Sequence, residues 1–203
     1  MYPLVYSLIV DRVMMGIRKR VPEFSDMRPG DTVLDVCCGT GAQALFYARM
    51  GITSWGIDLE PRMIEFAERR RSNLHLSNTF FQTACAMDLP FKAESFDHAS
   101  ISMGLHEKEG PSRDKIISEM RRVVKKSGSL VIVDYRVPFP EDVYSYAVRA
   151  VEQIAGREHF RCFRNFIQDG GLESLLRRHQ LHEEKRCYSR RIPVALLQVR
   201  NAW

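Results

Sequence analysis

Glycine, threonine and acidic residues gather in one stretch of this chain at a spacing that can do chemistry. Residues 33–41 read Val-Leu-Asp-Val-Cys-Cys-Gly-Thr-Gly, and the acidic Asp58 follows at the end of the next apolar run. Gly39 and Gly41 bracket a turn in which the backbone can come close to a ligand, because no Cβ intervenes and positive φ costs little. Asp35, inside an otherwise apolar run, is expensive to bury without a partner. The arrangement suits a nucleotide-like molecule. A structural Asp35 bonded to loop amides, and an Asp58 that only caps the next helix, are the plainer alternatives.

Positioning such a turn takes a strand before it and a helix after it. Residues 32–36 are apolar and β-prone, and residues 42–50 have helical composition and spacing. A strand over 52–57 delivers Asp58, Pro61 opens a helix that continues over 63–71, and 79–84 and 96–103 read as further strands. Residues 112–126 predict a helix that Gly128 stops as a left-handed cap. The run 129–134 is nearly all apolar, the pattern of a strand buried on both faces of a parallel sheet. Five strands alternating with helices give an α/β fold. Residues 2–20 predict a helix with one apolar face. Residues 141–181 predict two or three helices split by Gly156 and Gly170-Gly171, with Phe160, Phe163, Phe166 and Ile167 facing the core. Residues 183–188 and 194–200 close the chain as an antiparallel hairpin.

At 203 residues the chain is expected to form one domain with its own core. Its five cysteines, Cys37, Cys38, Cys85, Cys162 and Cys187, form no CxxC pair, and no His stands at ligand spacing. That predicts a reduced, cytoplasmic setting and no metal site. The net charge is +5, but the basic clusters fall mostly in the last turns of predicted helices, where the helix dipole favours them. No nucleic-acid partner is therefore expected. Asp11 and Arg12 interrupt the apolar N-terminal segment before it reaches the roughly 20 residues that span a bilayer, so neither stable membrane insertion nor a signal peptide is predicted.

Four blocks, in order, resemble class I S-adenosylmethionine-dependent methyltransferases, in particular the branch that includes ubiquinone/menaquinone-biosynthesis C-methyltransferases. They are 33–41, GIDLEPRMIEFAERR (56–70), AMDLPFKAESFDHASISMGLHE (86–107) and SEMRRVVKKSGSLVIVDY (118–135). The resemblance implies a three-layer Rossmann-like, seven-stranded, mostly parallel sheet ending in the antiparallel hairpin. It also implies a single methyltransferase domain over 1–203, with a helical lid at 1–24 and a substrate-covering insertion at 137–181. The cofactor would be S-adenosyl-L-methionine and the partner a small-molecule methyl acceptor, with O, C, N or S left open and the protein a monomer or homodimer.

By the same resemblance Asp58 takes the ribose hydroxyls and Cys37, Gly39, Thr40 and Gly41 line the methionine part, with Asp35 orienting the loop or the amino group. Leu59, Cys85, Ala86 and Met87 meet the adenine, and Ser102 and Met103 wall the methyl-transfer side. Cys85 stands where many relatives carry an acid that accepts from the adenine amino group. His106 is the first candidate to take a proton from the acceptor, with Tyr135 and His159 behind it. Arg161 and Arg164 are candidates to hold an anionic acceptor, and Tyr2 and Tyr6 to close a lid. Two alternatives compete. Gly39-Thr40-Gly41-Ala42-Gln43-Ala44 fits the GxGxxA turn of an NAD(P)-dependent oxidoreductase, with Asp58 about 20 residues on. A domain that binds the cofactor without catalysis is the other.

Overall fold

The computed structural model describes the backbone of residues 3–189 and 192–201 and the side chains from Val10 onward. Tyr2 and the side chain of Tyr6 lie outside the described residues. The element order is α1 (Pro3–Arg18), α2 (Val21–Phe24), β1 (Thr32–Val36), α3 (Ala42–Arg49), β2 (Thr53–Asp58), α4 (Pro61–Asn73), β3 (Thr79–Thr83), β4 (Phe96–Ser102), α5 (Gly110–Val123), β5 (Val124–Tyr135), α6 (Val143–Ile154), α7 (Arg157–Gln168), α8 (Gly171–Arg178), β6 (His182–Tyr188) and β7 (Val194–Arg200).

The seven strands form one sheet in the order β3-β2-β1-β4-β5-β7-β6. The first five run parallel, while β7 enters antiparallel between β5 and β6. Val33, Leu34, Val36, Ala99, Ile101 and Leu130 through Val133 are buried at the centre of this sheet, as strands covered by helices on both faces must be. The expected mostly parallel sheet with a C-terminal hairpin is therefore the observed one. Strand order reverses between β1 and β4, and crevices at such a reversal, beyond the carboxyl ends of the strands, are where ligands bind in open α/β sheets.

The helix expected over 2–20 is α1, ending at Arg18, and the short α2 with Pro22 near its start follows it. One local expectation needs correction. Gly128 is not a helix cap: α5 ends at Val123, the chain turns extended at Val124, and Gly128 lies within β5 outside the left-handed region. It is glycine because a Cβ there would stand 2.2 Å from the Asp97 carbonyl oxygen. The pairing jumps from Phe96↔Val124 to His98↔Ser129, so β5 bulges over 125–128 and presses its backbone onto β4.

Candidate active site

The glycine turn leaves β1 through Cys37, a non-glycine residue held at φ +56°, and Met103 leaves the adjacent β4 at φ +57°. Both strands thus kink sharply where the strand order reverses, and Gly104 fits there because a Cβ would come within 3.1 Å of the Cys37 Cβ. Gly39 and Gly41 have φ of +53° and +70°. Gly41 is also required inward, since a Cβ would fall 2.6 Å from Phe81 and 2.8 Å from Ala67. Its missing side chain lets α3 and α4 close on β3.

Asp58 reaches back across the crevice. Its Oδ2 accepts from the Gly39 N–H at 2.8 Å and its Oδ1 from the Glu60 N–H at 3.0 Å, while Glu60 itself caps α4. Asp58 therefore ties the turn to the end of β2 and is not the helix cap. Thr40 is buried, its hydroxyl donating to Asp11 Oδ2 at 2.8 Å and its carbonyl accepting from Arg70. Asp11 also pairs with Arg18, so α1 is clamped onto the turn. Leu59, next to Asp58 in the chain, is 70% exposed and Met87 38%, while Cys85 and Ala86 are half-buried.

Asp35 lies under the turn, fully buried, and accepts from Ser100 Oγ at 2.9 Å. Burial pushes its pKa up to about 7, against the lowering effects of the Ser100 hydroxyl, the Arg18 guanidinium and the Ala44 amide in the first turn of α3. Burial likewise pushes the Cys37 thiol up to about 12 and the Cys38 thiol upward, so neither supplies a thiolate nucleophile at neutral pH.

Beyond Ser102 and Met103 the chain turns into a second cluster. Asp134, buried near the end of β5, accepts through Oδ2 from the N–H groups of Leu105 (3.0 Å) and His106 (3.2 Å) and through Oδ1 from that of Tyr135. His106 Nδ1 stands 2.7 Å from the same Oδ1, and Nε2 lies 3.6 Å from Glu152 Oε1 on α6. Glu152 accepts from the Tyr135 hydroxyl at 2.7 Å and bonds His159 Nε2 on α7 through its other oxygen. Gly156, at φ +130°, makes the bend that folds α7 back so that His159 meets Glu152. Burial alone would lower the His106 pKa; the charge and hydrogen bond of Asp134, with the Glu152 and Glu107 carboxylates, raise it to about 9. The rings of Tyr135, Phe139 and Phe163 pack edge-to-face on one another beside His106, and Phe139 and Phe163 reach on to line a neighbouring cleft.

His106, Tyr135 and His159, each singled out from the sequence, thus meet in one cluster. Arg161 is engaged elsewhere, pairing with Glu109 at 2.7 Å, whereas Arg164 joins Arg149, Phe139, Phe160 and Phe163 around an apolar cleft of about 220 Å³. Sequence reasoning missed Asp134 and Glu152. The signal for Asp134 was present: like Asp35, it interrupts an apolar strand. Glu152 gave none, because its partners come from other elements. Lys108 was missed as well; it donates to Glu107 at 3.1 Å at the same strand end.

A methyltransferase-domain family model matches residues 33–128. The chain is 34% identical to a demethylmenaquinone methyltransferase of Paenarthrobacter aurescens, over 74% of this chain and 60% of that protein. It is 31% identical to the ubiquinone/menaquinone biosynthesis C-methyltransferase UbiE of Citrifermentans bemidjiense, over 74% of this chain and 68% of that protein. The first of these relatives is thus matched over about three fifths of its length. Among solved structures, a SAM-dependent methyltransferase from Aquifex aeolicus superposes with a TM-score of 0.74 at 17% identity, covering 98% of both chains, which is a likeness of fold.

Proposed function

We propose, from the premise that this chain belongs to the class I S-adenosylmethionine-dependent methyltransferases, in the branch of the ubiquinone/menaquinone-biosynthesis enzymes, that it methylates a small aromatic acceptor held beneath α6 and α7. The observation that supports this best is the convergence at the carboxyl ends of β1, β2 and β4. The glycine turn, the Asp58 carboxylate and the exposed Leu59 meet there, and the next strand end leads to the aromatic cluster around His106.

S-adenosylmethionine, when bound, supplies a methyl group already activated on a sulfonium. The residues present fit it. Asp58 retains lone pairs after accepting from Gly39 and Glu60, and these serve the ribose hydroxyls. The backbone of Gly39, Thr40 and Gly41 faces the methionine part, and Asp35 holds the turn from beneath. Leu59 and Met87 cover the adenine, whose edge is read by the backbone of Cys85, Ala86 and Met87 in place of a carboxylate. Ser102 and Met103 flank the transferred methyl. The displacement is in line, and the chain contributes alignment and exclusion of water, which can supply roughly 7–11 kcal/mol of a barrier.

The two sequence relatives are a demethylmenaquinone methyltransferase and a ubiquinone/menaquinone biosynthesis C-methyltransferase, and a cleft lined by Phe139, Phe160 and Phe163 suits a planar ring of that class. Arg149 and Arg164 stand at the same cleft to meet an anionic substituent. With its pKa raised to about 9 by Asp134, His106 already carries a proton at neutral pH, so any proton-accepting role of His106 belongs to the alkaline range.

Purified chain incubated with tritiated S-adenosylmethionine and a soluble 1,4-naphthoquinol tests the acceptor. Label is expected in the organic extract. Intact S-adenosylhomocysteine binding with no label transferred to the naphthoquinol would overturn the acceptor class. Stabilisation by NADH and none by S-adenosylhomocysteine would instead restore the oxidoreductase alternative.

A further inference from the structure

The elements around His106 bring together a set of donors. One ring nitrogen of His106, a Glu152 carboxylate oxygen and one ring nitrogen of His159 come from three different elements and lie within 4.8 Å of one another; Glu152 Oε1 is 3.6 Å from His106 Nε2, and Glu152 Oε2 bonds His159 Nε2. Donors bound to one ion at about 2.0–2.2 Å lie at most about 4.4 Å apart, so a small inward shift of these side chains closes them on an ion. Each imidazole also has a carboxylate behind it. Asp134 Oδ1 lies 2.7 Å from His106 Nδ1, and Glu107 Oε2 lies 3.6 Å from His159 Nδ1. The first is the outer-shell hydrogen bond that orients a metal-bound histidine, fixing which nitrogen faces inward and raising its basicity; the second is a longer charge contact. The Tyr135 hydroxyl likewise orients Glu152 by a hydrogen bond.

Asp134, Glu107 and Glu152 bring three carboxylates to the two imidazoles, with Lys108 paired to Glu107. Aromatic side chains close one side, while His159, with a side chain 26% exposed, leaves an approach from solvent. Two nitrogens and one oxygen with positions left open suit a first-row divalent transition ion and not Mg²⁺ or Ca²⁺, which take oxygen ligands.

We propose that His106, Glu152 and His159 form a mononuclear site for a divalent transition ion of the zinc or cobalt class. An open coordination position of the ion would take a hydroxyl or enol oxygen of the acceptor and lower its pKa, replacing a protein base. That role rests on the methyl-transfer reading, whereas the site itself does not, because ion binding is measured without cofactor or acceptor.

The test is titration of EDTA-treated full-length protein with Co²⁺, followed by its visible d–d absorption and by calorimetry. Saturation at one equivalent is expected, with competition by Zn²⁺. Glu152→Gln and His159→Ala should each weaken binding by more than about 100-fold, beyond the 10–100-fold that loss of an outer carboxylate costs. His159→Ala removes a side chain that is only partly buried, and S-adenosylhomocysteine binding by each variant reports that the fold is kept. His75→Ala, an exposed histidine away from the cluster, should bind as the unaltered protein does. No saturable binding overturns the proposal and leaves the three side chains a hydrogen-bonded network; so does binding that survives in Glu152→Gln and His159→Ala.

Discussion

A carboxylate that accepts two backbone N–H groups still has capacity to spare, and Asp58 shows why that matters. Its bonds to Gly39 and Glu60 set the turn and aim the remaining lone pairs outward. Asp58→Ala should weaken S-adenosylhomocysteine binding more than tenfold by calorimetry, as expected when hydrogen bonds to a charged group are lost; unchanged affinity would remove its ribose role. Asp35 makes a different prediction. Because its pKa rises from 3.8 to about 7 on folding, the native chain keeps a proton that the unfolded chain has released. Stability on this account falls as pH climbs from about 4 to 7 and is flat above that. Asp35→Asn keeps an acceptor for Ser100 without the charge. It should therefore gain on the unaltered protein as pH rises, by up to about 4 kcal/mol. Urea unfolding at pH 5 and pH 8 checks this, and an equal gap at both would refute it. Asp35 and Asp58 were legible because each breaks an apolar pattern. His106 was legible as a residue but not as a buried one, since its environment comes from Asp134 and Glu152, distant in sequence.

Among the elements, β5 departed most from its pattern. The sequence 124–128 carries charge and a glycine, which reads locally as a helix end, yet pairing with β4 overrides that propensity and makes it a bulged strand. If Gly128 were a left-handed cap, Asn would substitute for it well. A glycine kept by close contact with the Asp97 carbonyl excludes any Cβ. Gly128→Ala and Gly128→Asn should both lower stability by roughly 1–3 kcal/mol, with Asn no better than Ala. A thermal melt that ranks Asn near the unaltered protein would contradict the contact. Elsewhere the elements followed their local signals. The glycines at 156, 170 and 171 all take positive φ at helix boundaries, and Pro61 opens α4. Arg113 shows what no local signal predicts. It is fully buried and donates to Leu105, Asn165 and Cys162, pinning α5 and α7 to the loop that carries His106.

At the scale of the molecule, the order β3-β2-β1-β4-β5-β7-β6 places everything chemical at one edge. The alternation of strands and helices and the closing hairpin were legible in the apolar pattern, the seven-stranded sheet came from the family resemblance, and the strand order is what the structure adds. What the helices after β5 enclose was not legible, since packing between α6 and α7 depends on side chains meeting across the Gly156 bend. The cofactor crevice draws on β1, β2, β4 and the α1 clamp together, so occupancy should be felt by the whole domain and not by one loop. A ligand that binds only the folded chain stabilises it by about 2.7 kcal/mol at a hundred times its dissociation constant. For a domain of this size that corresponds to a rise in melting temperature of roughly 5–10 °C. S-adenosylhomocysteine should produce such a shift and NADH should not. Amide exchange should slow along with it at the turn 37–41 and in α1, because Asp11 links the two through Thr40. A thermal shift with exchange unchanged in α1 would mean that the clamp is structural and uncoupled from the crevice.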